Sequence, residues 1–157
     1  MDQTSNQTTN ESSGSAPSPE VQTTATLPDV LSVRTTEELS QALTTIERHA
    51  SDLVASPIVR EGYMAHGHPA QLGFQHLNTM TSSRIKKHFP LAVKTEPLFG
   101  ILWAKGKLIV GEELVNKYTA RKEGRTYDYT KAINERFAKM FAELDSYRSV
   151  LARLEHE

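Results

Sequence analysis

Apolar residues recur with a regular period over the last part of the chain. Between residues 129 and 154 they alternate at spacings of four and three, the heptad pattern of an amphipathic helix. This row predicts either a seam between two copies of the chain or packing within one domain, and we take self-association as the working prediction. The residues of the candidate oligomer interface are Ile133, Phe137, Met140, Leu144, Tyr147, Leu151 and Leu154.

A helix is also predicted near the start of the patterned region. Thr35 and Glu38 have the spacing of a capping box, in which the threonine oxygen accepts from the Glu38 backbone N–H. An apolar stripe of helical period follows as far as Val54. Residues 57–69 predict a short helical turn that becomes irregular by about His66, because glycine and proline interrupt it. A third helix is predicted over 69–88.

The most apolar stretch, residues 97–122, has two interpretations. As one helix it carries two apolar stripes and would be buried on two sides, although Gly106 and Gly111 each cost it about 1 kcal/mol. As a short β-hairpin near 101–110 it would turn at Lys105 and Gly106. We favour the helix, because Lys-Gly is a weak turn signal and an isolated hairpin is marginal in water.

These elements predict a mainly α fold with four to five helices in a single domain over residues 30–157. Residues 1–29 contain no Lys, Arg or aromatic residue and are rich in Ser, Thr, Asn and Gln. Such a segment buries too little apolar surface to offset its ordering entropy, so it is predicted to be a disordered tail. The long C-terminal helix is predicted to run unbroken over 129–154.

Composition limits the classes of function. The chain has no cysteine, so disulfides and Cys-ligated zinc are excluded. Charged residues interrupt the apolar stretch 97–115, and the polar, acidic N-terminus lacks the basic start and apolar run of a signal peptide. We therefore expect a cytoplasmic protein that has no membrane partner.

Charge is segregated along the chain although the net charge is −1. Residues 84–125 contain 10 Lys or Arg against 4 Asp or Glu, a balance of +6. Cations neutralise phosphates, and tyrosine rings can stack on unpaired bases, so the basic stretch predicts contact with single-stranded or double-stranded nucleic acid. The candidate binding residues are Arg84, Lys86, Lys87, Lys117, Tyr118, Arg121, Lys122, Arg125 and Tyr127.

The favoured hypothesis is a non-enzymatic, oligomeric nucleic-acid-binding accessory protein without a cofactor or metal. In the main alternative it is an adaptor that contacts only protein. The basic stretch also has a plainer interpretation as a solvated helix face, on which Glu113, Lys117 and Arg121 form an ordinary salt-bridge ladder. A third alternative is a metal protein or enzyme using His66 and His68, which are two residues apart. No nucleophile elbow, phosphate-binding loop or dinucleotide motif is present, so no catalytic residue is predicted.

Overall fold

The fold is mainly helical, as the apolar periodicity predicts. A computed structural model describes residues 27–90 and 96–156, and most of the predicted tail lies outside them. A short 3-10 helix (Val30–Ser32) precedes six α-helices, which corrects the predicted count of four to five, and the described residues contain no strand. The helices are α1 (Thr36–Val54), α2 (Pro57–Ala65), α3 (Leu72–His88), α4 (Pro97–Lys122), α5 (Tyr129–Ala142) and α6 (Leu144–Leu154).

Helix α4 is the centre of the fold, and each of the other five α-helices packs against it. It is a single helix across residues 97–122, so the hairpin alternative at 101–110 is wrong. Gly106 is buried against both α3 and α5, and a methyl group there would lie 2.7 Å from Thr81 and 3.2 Å from Phe137. The glycines that weaken the helix in isolation therefore allow its neighbours to approach.

The first helix begins as its capping signal predicts. The Thr35 hydroxyl oxygen accepts from the Glu38 backbone N–H at 3.0 Å. The Glu38 carboxylate reaches one residue further back and accepts from the Arg34 N–H at 2.8 Å. Ordered structure starts before this cap, because Asp29 caps the 3-10 helix and Val30 is buried.

The predicted C-terminal helix over 129–154 is in fact two helices. It is interrupted at Glu143, where the backbone leaves helical geometry with φ −96° and ψ 9° and the N–H bonds to the Met140 carbonyl. Helix α6 contacts the N-terminal segment, where Arg153 donates to the Val33 carbonyl at 2.5 Å. The continuous helix predicted from the heptads is therefore corrected to two consecutive helices.

The heptad row faces the interior of its own chain. Its five buried members belong to the hydrophobic core, and Leu144 and Leu151 are partly buried against that core. This burial favours the second interpretation of the row, packing within one domain. No described helix is both long and apolar enough to cross a membrane. The buried members are Ile133, Phe137, Met140, Tyr147 and Leu154.

Candidate anion-binding end face

Cationic and imidazole side chains converge at the end of the bundle where α2 and α4 finish. Arg121, in the last turn of α4, places a guanidinium nitrogen against Nε2 of His66, the residue that follows α2. These two residues are 55 positions apart in the chain. We name this surface the cationic end face, and it consists of His66, His68, Lys117, Arg121, Lys122 and Arg125.

A close approach of α2 to α4 produces this convergence. Gly62 is buried against the ring of Tyr118, and any Cβ at position 62 would overlap that ring. Tyr63 packs edge-on against the same ring with centroids 5.7 Å apart. Because α2 lies this close to α4, its C-terminal end reaches the last turn of α4, and His66 meets Arg121.

The carboxylate expected to neutralise this face is turned away from it. Glu113 is 4 % exposed and accepts from Arg136 of α5 at 2.8 Å. Its neighbour Glu112, 3 % exposed, accepts from the other terminal nitrogen of Arg136 at 2.6 Å. The salt-bridge ladder of Glu113, Lys117 and Arg121 is therefore wrong, because Glu113 belongs to a buried cluster.

The same buried cluster fixes the loop that follows α4. The Tyr127 hydroxyl donates to Glu113, so residues 123–128 are tied back onto α4. Asp128 then caps α5 by accepting from the Lys131 N–H at 3.0 Å. These contacts hold Arg125, which lies in this loop, at the same end of the bundle as Arg121.

Two cations of the end face have no carboxylate partner within the described ranges. Lys117 lies over the rings of Tyr118 and Tyr129, 5.3 and 5.0 Å from their centroids. Neither Lys117 nor Arg121 is within ion-pair distance of a described carboxylate. Lys122 is 3.8 Å from Glu61 and Arg125 is 2.8 Å from Glu123, and all four of these side chains are exposed. Exposed pairs of this kind hold their partners weakly.

Desolvation and the positive charge of this face both lower the pKa of His66. Partial desolvation lowers the pKa of His66, and the charges of Arg121 and Lys117 lower it further. Nearby cations disfavour the imidazolium form because like charges repel. A group that lowers a neighbour's pKa in this way equally favours an incoming anion, so the end face is suited to phosphate or carboxylate groups.

A second histidine lies beneath the face and couples stability to pH. Nε2 of His76 lies 2.9 Å from the Tyr129 hydroxyl, and burial followed by the charge of Lys117 lowers the pKa of His76 below 6.5. The unfolded chain therefore binds more protons than the folded one as pH falls through about 6.5, so stability decreases on acidification.

We expect a lower melting temperature at pH 5 than at pH 7.5, measured by circular dichroism. The difference should shrink in His76→Gln, and an undiminished difference would contradict this assignment.

The predicted nucleic-acid residues do not form one surface. The end of α3, with Lys86 and Lys87, lies beside the start of α4, because Ile85 and Leu102 line the same cavity. Leu102 and Arg121 are separated by about 28 Å of helix at 1.5 Å per residue. Lys86 and Lys87 are exposed but belong to the opposite end of the bundle.

The two tyrosines among the candidates are structural. Tyr118 is 6 % exposed and Tyr127 is partly buried with its hydroxyl on Glu113. The Tyr118 ring is therefore not presented to solvent for stacking on a base, and the Tyr127 ring is only partly exposed. The histidines His66 and His68, in contrast, join the cationic end face although the basic stretch did not include them.

The described residues offer little support for a histidine metal site. Across 27–90 and 96–156, no group of three or more His, Asp or Glu is placed to hold a metal ion. His66 and His68 stack 6.4 Å apart, and the adjacent charge is the Arg121 guanidinium. A cation would be repelled there.

No protein-family model, curated protein or solved structure matches the chain.

Proposed function

We propose that the protein is a non-enzymatic nucleic-acid-binding accessory protein whose cationic end face contacts phosphates. The observation that carries this proposal is the inward turn of Glu113. Its charge is taken up by Arg136 at 2.8 Å, which leaves Lys117 and Arg121 without a carboxylate partner in the described chain. Arginine and lysine side chains without a carboxylate partner bind phosphate most favourably, since no existing ion pair has to be broken.

The mode of binding follows from which side chains are accessible. Arg121, Lys122 and Arg125 are exposed and can reach a phosphate backbone, while the Tyr118 ring is buried and the Tyr127 ring is only partly exposed. Phosphate contacts position a protein but carry no direct sequence information. The proposed contact is therefore independent of sequence and does not require unpaired bases, so a duplex should bind at least as well as a single strand.

We expect binding to weaken steeply with salt. Four cations on the face allow about four phosphate contacts, and affinity then falls by about 100-fold between 50 and 200 mM salt, because the release of condensed counterions becomes less favourable as bulk salt rises. Fluorescence anisotropy of a labelled 20-base-pair duplex measures this slope, with the matching single strand as comparison. Absence of binding at 50 mM salt would contradict the proposal, as would an affinity that salt leaves unchanged.

The second candidate is an adaptor that contacts protein alone. It is favoured by Met64 on α2, a large apolar side chain that is 61 % exposed beside the end face. Methionine is frequent at protein-binding surfaces because its flexible side chain adapts to varied partners. Co-purification from the native cell after nuclease treatment tests it: a partner that remains favours the adaptor, and a partner lost with the nucleic acid favours the phosphate-binding function.

A further inference from the structure

A trough lies between helices α3 and α5, away from the cationic end face. Both helices pack against α4, and the space left between them measures about 610 Å³. Residues at helical spacing give each helix one face toward the trough. The α3 wall consists of Arg84, Lys87 and His88, and the α5 wall consists of Asn134, Phe137, Ala138, Phe141 and Ala142.

The two walls differ in chemistry. The α3 wall carries two cations and an imidazole, whereas the α5 wall is aromatic and aliphatic apart from Asn134. No carboxylate lines the trough, and neither Arg84 nor Lys87 forms an ion pair within the part of the chain that the structure describes. A molecule seated here therefore meets positive charge on one side and apolar surface on the other.

Arg84 has unused hydrogen-bonding capacity at this site. Its Nε atom is buried and has no hydrogen-bond partner among the described residues. The guanidinium carbon lies 5.7 Å from the centroid of the Phe137 ring, so the guanidinium group of α3 approaches the aromatic wall on α5. A buried donor without an acceptor requires an explanation, and an anion that draws the guanidinium into the trough would supply acceptors.

The end of the trough near the C-terminus of α3 is defined by a stack. The rings of His88 and Phe141 lie parallel within 3°, with centroids 4.1 Å apart. This contact joins the cationic wall to the apolar wall. It fixes the ring of Phe141 as a flat apolar surface beside the imidazole.

We propose that this trough binds a small amphiphilic anion, with a carboxylate or phosphate-monoester head on the Arg84 and Lys87 side and an aliphatic or aryl body against Phe137 and Phe141. The volume of about 610 Å³ falls within the range of small-ligand sites, about 300–1,000 Å³. A nucleic-acid backbone fits poorly, because the apolar wall would desolvate its phosphates without offering a partner. Arg84 and Lys87 are thereby assigned to a ligand different from that of the end face.

Three probes of eight carbons each separate the contribution of the charged head group from that of the apolar body. Isothermal titration calorimetry of the full chain would compare octanoate, octanol and octylammonium at low salt. We expect octanoate to bind about tenfold more tightly than octanol, which is the effect of one hydrogen bond to a charged group, and octylammonium to bind most weakly. Octyl phosphate distinguishes the two head groups. Equal affinity of octanoate and octylammonium, or no binding of any probe, would overturn the proposal.

Two neighbouring lysines provide a matched pair of variants. Lys87 lines the trough and Lys86 does not, although both are exposed in the last turn of α3. Lys87→Gln should weaken octanoate about tenfold and leave octanol unchanged, while Lys86→Gln should leave both unchanged. Ala138→Trp, at an exposed position of α5, should fill the trough and weaken both probes. Equal effects of Lys86→Gln and Lys87→Gln on octanoate would refute the site.

Discussion

Replacing Arg136 by leucine is expected to lower the free energy of unfolding by about 3 kcal/mol. The two carboxylates that it bonds, Glu112 and Glu113, are only 4 % and 5 % exposed as side chains and would lose their counter-charge. We expect the lower part of the range for broken buried pairs, because Arg136 itself is 35 % exposed. Burial lowers the pKa of Arg136, but the hydrogen bonds and charges of the two glutamates outweigh that effect and raise it.

Urea unfolding followed by circular dichroism measures this loss against Arg148→Leu. The Arg148–Asp145 pair is 3.7 Å apart with exposed side chains, so its removal should cost less than about 1 kcal/mol. Arg136→Lys keeps the charge but replaces two-pronged bonding by a single ammonium group, and we expect a loss between the other two. Equal losses for Arg136→Leu and Arg148→Leu would show that the buried cluster does not stabilise the fold.

Gly62→Ala is the second substitution with a large expected effect. A methyl group would overlap the Tyr118 ring, so α2 has to move away from α4. Overpacking costs up to about 3 kcal/mol, and alanine returns about 1 kcal/mol of helix propensity, which leaves a net loss of about 2 kcal/mol. The displacement would also separate His66 from Arg121, so oligonucleotide affinity should fall together with stability.

Gly100→Ala is the matched control within a helix. A methyl group there meets only Leu43, at an ordinary 3.8 Å, so alanine should be neutral or stabilising by up to about 1 kcal/mol. Thermal unfolding of both variants gives the comparison. A Gly62→Ala protein as stable as Gly100→Ala would contradict the close packing of α2 on α4.

The elements that the sequence predicts well are those specified by local chemistry. The Thr35 hydroxyl caps α1 through the expected Glu38 N–H, because this contact needs only residues three positions apart. The apolar period identifies α1 and α4 because their buried faces repeat over several turns. Residues 57–65 form a full helix although Gly62 weakens it locally, since packing against Tyr118 compensates.

The break at Glu143 shows where periodicity stops being informative. The heptad spacing continues across it, because both helices turn an apolar face to the same core. Tertiary contacts accompany the break: α6 packs against the 3-10 helix, and Arg153 bonds to Val33, 120 residues earlier. Contacts over that separation leave no mark on a local pattern.

The candidate site is predictable in part. The density of cations near Arg121 is visible in the sequence, but the direction of each side chain is not. Glu113 faces Arg136 rather than Lys117, and His66 meets Arg121 across 55 residues. The one local signal was the pair Glu112 and Glu113 inside an otherwise apolar run, a placement that favours buried partners.

The most direct test of the end face compares two double charge reversals that change net charge equally. Arg121→Glu with Lys122→Glu alters the cationic end face, and Lys86→Glu with Lys87→Glu alters exposed lysines at the far end of the bundle. Anisotropy of the labelled duplex at 50 mM salt should show binding lost in the first variant and changed by less than about threefold in the second. Equal weakening in both variants, or unchanged binding in the first, would contradict phosphate recognition at this face.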